Sequence, residues 1–195
     1  MAATLVLVLG LFISLGSHSV RIVADDWRSA QIARMGEQRW KALYSLVSLI
    51  GIGLVVWGYG LTRADPVALW MPPVWTRHLA SLLTLPAFLL LVAAYVPGNR
   101  LKTAVGHPMI AGVGLWALAH LPANGNLGDL LLFGSFLIWA ALSFRAARRR
   151  DSTAARGYPA GPLSRTLIAA TGGILAWAVF ALMLHGPLIG VRPFG

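Results

Sequence analysis

Six stretches of the chain stay apolar for close to twenty residues, the length a helix needs to cross a hydrocarbon core about 30 Å thick. They cover residues 2–23, 42–61, 78–96, 108–122, 127–145 and 165–185. Only 11% of the 195 residues are charged, against about 25% in soluble globular domains, and mean hydropathy is +0.72. Lipid must solvate so apolar a chain, so the sequence predicts an all-α integral membrane bundle of about six transmembrane helices. No repeat recurs and no hydrophilic loop has a strand pattern, so residues 1–195 read as a single transmembrane domain. The first stretch lacks a basic leader and a small-residue cleavage site, and is expected to be a retained span rather than a signal peptide.

Basic residues orient the bundle, because loops rich in Lys and Arg stay cytoplasmic. The first loop holds Arg21, Arg28, Arg34, Arg39 and Lys41, and the third holds Arg100 and Lys102. Arg145, Arg148, Arg149, Arg150, Arg156 and Arg165 follow in the fifth, so these alternate loops take thirteen of the sixteen basic residues. Both termini are therefore expected on the periplasmic side of a bacterial inner membrane. The net charge of +10 is read as a partner for anionic membrane lipid, and nucleic acid is not expected. Trp27, Trp40, Trp57, Tyr59, Trp70 and Trp75 fall near span ends, where amphipathic rings anchor at the interface.

The chain has no cysteine, which excludes disulfides, thiolate catalysis, zinc-thiolate and iron–sulfur sites, and covalent haem attachment. Histidine is the strong nitrogen ligand that remains. His18 follows Ser14 and Ser17 and precedes Arg21 by one turn; it reads either as a metal ligand, with Arg21 placed for haem propionates, or as an interfacial imidazole bonded to a carbonyl. His107 precedes Pro108, which suits a first helical position, so it reads as a helix cap or as part of an anion site. His120 shares a face with Trp116 and Gly112 at four-residue spacing. That face is a candidate pocket with a small residue, a flat ring and a ligand in line, or else a packing stripe. His78 and His185 read as interfacial. Asp129 reads as a carboxylate complementing a helix N-terminus, and the paired Gly51/Gly53 and Gly172/Gly173 as points of close helix contact.

Spacing limits which histidines could share one iron. His107 and His120 are separated by about 20 Å of helix rise and face opposite ways. His18 and His120 differ in depth by about 12 Å, a span that two imidazoles and a flat-lying haem can bridge, while His18 with His107 would need a more upright one.

Three segments in order carry a family resemblance. They are Leu11-Phe12 with His18-Ser19 and Arg21; Arg39-Trp40-Lys41-Ala42-Leu43-Tyr44-Ser45-Leu46-Val47-Ser48; and His107-Pro108-Met109 leading through Gly112 and Leu115-Trp116 to Ala119-His120-Leu121 and Asn124-Gly125. Together they resemble the NnrU family of bacterial multi-pass membrane proteins, named for a link to nitrite and nitric oxide metabolism in denitrifying bacteria. The same domain occurs in plant 15-cis-zeta-carotene isomerase, a haem b enzyme acting on a lipid-soluble polyene. The resemblance implies haem b, with His18 and His120 at the axial-ligand positions and His107 in the His-Pro element. Ala117 stands where the isomerase has a cysteine considered as an alternative ligand. By this resemblance the chain is expected to be a haem b-binding protein serving denitrification, with denitrification proteins as partners, or a haem-dependent isomerase of a carotenoid-like polyene. The alternatives are a haem-free accessory protein for denitrification and a membrane methyltransferase-like enzyme using the His107-Pro108 helix end.

Overall fold

The computed structural model describes residues 1–194. Helices form at α1 (Ala2–Val23), α2 (Asp25–Met35), α3 (Glu37–Ala64), α4 (Val74–Tyr95), α5 (Arg100–Val105), α6 (Pro108–His120), α7 (Leu127–Thr153) and α8 (Leu163–Val179). A π-helical turn over Phe180–Leu184 then leads into α9 (His185–Ile189). Among the described residues five helices are long and apolar enough to span a membrane: α1, α3, α4, α7 and the continuous α8 to α9 stretch. The expected span at 108–122 yields the shorter apolar α6, about 20 Å long at 1.5 Å per residue. Pro108 opens it, and Pro122-Ala123-Asn124-Gly125 stops it.

The chain divides into two compact units. The first comprises Met1–Trp70 with Gly125–Trp139, and is built on α1 against α3. Lipid offers no hydrophobic drive between helices, so close backbone approach through small residues has to supply the packing. A Cβ at Gly10 would lie 2.5 Å from the Val55 backbone nitrogen, and one at Gly51 would lie 2.6 Å from that of Ser14. Gly58 meets the Leu7 backbone in the same way. Gly53 does not share this role and has nothing within 4 Å of its position, because two helical residues two apart point about 200° from each other. The first basic loop is itself helical, since Asp25 and Asp26 start α2 and Arg34 ends it, each complementing the helix dipole.

The same unit includes the start of α7. Leu127 N–H donates to the Val67 carbonyl at 2.8 Å, and Leu69 N–H to that of Gly125 at 2.8 Å. Asp129 is buried in the first turn, as a carboxylate at a helix N-terminus should be. Its Oδ2 accepts from the Asn126 backbone and side-chain nitrogens, both at 3.0 Å. Its Oδ1 accepts from the Tyr59 hydroxyl at 2.6 Å, so Tyr59 ties α3 to α7 where the sequence predicts an interface anchor.

The second unit comprises Met71–Asn124 and the segment from Ala140 onward. Gly112 of α6 sits against the Ala87 carbonyl of α4, and Gly173 of α8 against Leu89 of α4. Buried Asn99 joins α4 to α5: its Nδ2 donates to the carbonyl of Ala93 at 2.8 Å and its Oδ1 accepts from Lys102 N at 2.8 Å. Gly106 ends α5 at φ +76°, a conformation glycine adopts without strain, and turns the chain into His107-Pro108. Pro187 lacks an N–H and crowds the carbonyl four residues back, which accounts for the π-helical turn over Phe180–Leu184.

Candidate functional site

In the first unit the chemistry gathers at His18. Its Nδ1 lies 2.8 Å from the Ser14 carbonyl one turn earlier on α1. A carbonyl only accepts, so Nδ1 carries the proton and Nε2 keeps its lone pair. Ser17 Oγ also donates to the Ser14 carbonyl at 2.8 Å, and lies 3.4 Å from Ser48 Oγ on α3. The Tyr44 ring stands 5.2 Å from the imidazole, and Trp139 of α7 meets it edge to face at 6.0 Å. Trp139 Nε1 is buried without a hydrogen-bond partner among the described residues.

Beside Ser17 and Tyr44, α1, α2 and α3 form an open apolar groove of about 500 Å³ whose lining includes Phe12, Ser17, Trp27, Trp40, Leu43 and Tyr44 but not His18 or Trp139. Trp27 and Trp40 meet edge to face there at 5.9 Å. Arg21, expected near haem propionates, has its Nε 3.9 Å from Asp25 Oδ1, and Arg28 reaches the same oxygen at 3.7 Å. Both cations thus meet at the start of α2.

In the second unit His120 is set as His18 is. Its Nδ1 lies 2.9 Å from the Trp116 carbonyl four residues earlier, which again leaves the lone pair on Nε2. The Trp116 ring lies 5.4 Å from the imidazole, and Asn124 Nδ2 donates to the His120 carbonyl at 2.8 Å. The Gly112, Trp116, His120 line therefore has two functions. Gly112 is a packing contact with α4, and the two rings sit together at the C-terminal end of α6.

His107 takes the expected position before Pro108, yet its side chain makes no cap hydrogen bond. Its Nε2 lies 2.8 Å from Asp151 Oδ2 near the end of α7. Tyr158 donates its hydroxyl to that oxygen at 2.9 Å, and the Tyr158 and Phe144 rings flank the imidazole at 5.8 and 6.2 Å. A carboxylate gives the imidazole a charge-assisted partner stronger than a backbone N–H at the helix start. Burial, reinforced by the Asp151 hydrogen bond, pushes the Tyr158 phenol above its usual range. His78 is exposed on α4, and His185 Nδ1 lies 2.6 Å from the Val191 carbonyl. Among the described residues no three His, Cys, Asp or Glu side chains gather as a metal-binding group, so a metal here would rest on fewer protein ligands.

The family described as NnrU protein matches residues 6–193, nearly the whole chain. The chain belongs to the NnrU family. No curated protein and no solved structure gives a match.

Four residues of these NnrU clusters carry roles that sequence reasoning missed: Tyr44, Trp139, Asp151 and Tyr158. Tyr44 lies 26 residues from His18 and Trp139 lies 121, and no local period links positions that far apart. Asp151 had a usable signal, because it is the one acidic residue after Asp129 and it follows three arginines. The histidine hydrogen bonds were open to the same reading, since carbonyls one turn back in a helix are within reach of an imidazole.

Proposed function

We propose that this NnrU protein binds haem b in the bacterial inner membrane, and that His18 and His120 are the imidazoles that would hold its iron. The observation that supports this is the matched setting of the two imidazoles. Each donates Nδ1–H to the carbonyl four residues earlier, at 2.8 and 2.9 Å, and so presents Nε2 as the coordinating nitrogen. Metal-ligating histidines are held in this way, because a bond to the second ring nitrogen fixes tautomer and orientation and raises ligand basicity. The two rings belong to different units, and the support is local to each.

Haem b bound there would supply an iron that exchanges an electron or acts as a Lewis acid on a π system. The chain's own part is to orient the ligands: Ser14, Tyr44 and Trp139 hold the His18 ring, and Trp116 holds that of His120. The apolar groove beside Ser17 and Tyr44 favours a lipid-soluble polyene as the reacting molecule, with isomerisation of a cis double bond as the reaction. A role in nitrite and nitric oxide metabolism is the second reading, carried by the family alone. Gene deletion separates them, by accumulation of a cis-polyene in one case and impaired denitrification in the other. The His107-Pro108 transferase reading gains no support, because the His107 ring is engaged with Asp151.

The test is an absorption spectrum of the purified protein, oxidised and dithionite-reduced, with a pyridine haemochrome assay. One b-type haem per chain is expected, with His18→Ala and His120→Ala each losing it or shifting its bands. Unchanged haem content and spectrum in both variants would refute the ligand assignment.

A further inference from the structure

The indole N–H of Trp139 is buried and none of the described residues receives it. Buried polar groups in native proteins almost always find partners, and an orphan asks for an acceptor that the protein itself does not supply. Its surroundings say where that acceptor belongs. The indole stands edge to face on the His18 imidazole, centroids 6.0 Å apart and planes at 87°, and His18 turns its protonated Nδ1 to Ser14. A phenylalanine would give the same edge-on packing without stranding a donor, so packing alone does not account for tryptophan at this position.

We propose that Trp139 Nε1 donates a hydrogen bond to an oxygen of the group bound at His18, and that for haem b this oxygen belongs to a propionate carboxylate. The inference rests on the haem reading above. Indole N–H is a donor only, and the propionates are the oxygen acceptors that haem b carries. An anion brought into an apolar bundle needs fixed donors to replace its water. Arg21, the nearest cation along α1, has its Nε 3.9 Å from Asp25 Oδ1, and a neutral donor from α7 would complement it. Trp139 is thus a positioning residue that sets how haem is seated and held.

The experiment compares full-length wild type and Trp139→Phe in detergent, each loaded with haem b or with iron etioporphyrin, which has no propionates and so no oxygen acceptor. The rate of haem loss to an excess of haem-scavenging apoprotein is the readout. Trp139→Phe should release haem b about tenfold faster than wild type, equivalent to about 1.4 kcal/mol, while the two chains release iron etioporphyrin at rates within about twofold. Equal acceleration for both haems would mean that the indole only packs, and would overturn the proposal. If Trp139→Phe does not fold, wild type alone decides. It should release iron etioporphyrin about tenfold faster than haem b, and equal rates overturn the proposal. His18→Ala separates this inference from the reading beneath it. Haem-free His18→Ala alongside Trp139→Phe with wild-type release sinks the indole donor alone. Full haem retention in His18→Ala, or no haem uptake by wild type, sinks both.

Discussion

His107 Nε2 and Asp151 Oδ2 meet at 2.8 Å, joining the first residue before α6 to the far end of α7 across 44 positions of sequence. Tyr158 donates to the same oxygen from the following loop. Removing the shared acceptor leaves two polar groups without it, so Asp151→Ala should destabilise the protein by about 1–3 kcal/mol, and more than Tyr158→Phe at about 0.5–1.5 kcal/mol. The His107→Ala and Asp151→Ala effects should fall short of additivity in the double variant. Thermal unfolding in detergent measures all four chains, and strict additivity would mean that the two side chains do not act as a pair.

The same cluster makes a prediction at alkaline pH. Burial and the Asp151 hydrogen bond raise the Tyr158 phenol above its ordinary value, about 10 in an unfolded chain. A group whose folded value is raised contributes stability that is fully present below the unfolded value. That contribution is lost as pH rises from about 10 through the folded value. The tyrosinate absorbance step missing from Tyr158→Phe should therefore lie above the ordinary range, and should move down in Asp151→Asn. A step at the ordinary value in wild type would contradict the geometry.

Two glycines two residues apart should respond oppositely to one methyl group. Gly51→Ala places a Cβ 2.6 Å from the Ser14 backbone, forcing α1 and α3 apart at a cost of about 1–3 kcal/mol. Gly53→Ala meets nothing within 4 Å, and should be neutral or stabilise by up to about 1 kcal/mol through helix propensity. Similar unfolding temperatures for the two variants would argue against the packing of α1 on α3.

Hydropathy made the long helices legible because lipid demands length and apolarity in one continuous segment. The stretch at 2–23 forms Ala2–Val23, and those at 42–61, 78–96 and 127–145 lie within or nearly within α3, α4 and α7. Helix outside the lipid leaves no such mark in hydropathy. α2 is polar, and α7 runs on to Thr153 through Arg145, Arg148, Arg149 and Arg150, since arginine is a good helix former once the chain leaves the membrane. The candidate site was legible one helix at a time. His18 and His120 stand out because an imidazole in an apolar helix is conspicuous, whereas Trp139 looks like any apolar residue of a span until its neighbour from another helix is known.

Tyr59 and Asp129 offer a test inside the first unit. The hydroxyl supplies the donor to Oδ1 of a buried carboxylate at 2.6 Å, so Tyr59→Phe should destabilise the protein by about 1–3 kcal/mol. Trp57→Phe, on the same helix but with the Trp57 side chain exposed, should stay within about 0.5 kcal/mol. Unfolding temperatures of the two variants decide. Equal effects would assign Tyr59 to interface anchoring, as its position in sequence suggests.

Orientation follows from charge and can be read cleanly because the chain has no cysteine of its own. The basic run Arg148-Arg149-Arg150 at the end of α7 should face the cytoplasm, attracted to the anionic inner leaflet at about 1 kcal/mol per basic residue. Ala3→Cys and Ser152→Cys each create a single thiol on a residue whose exposed or intermediate position admits a reagent. In whole cells a membrane-impermeant maleimide should label the thiol at position 3 and spare the one at 152 until the membrane is opened. The reverse pattern would invert the bundle and place Arg148 to Arg150 outside, against the orientation expected from the alternate loops that hold thirteen of the sixteen basic residues.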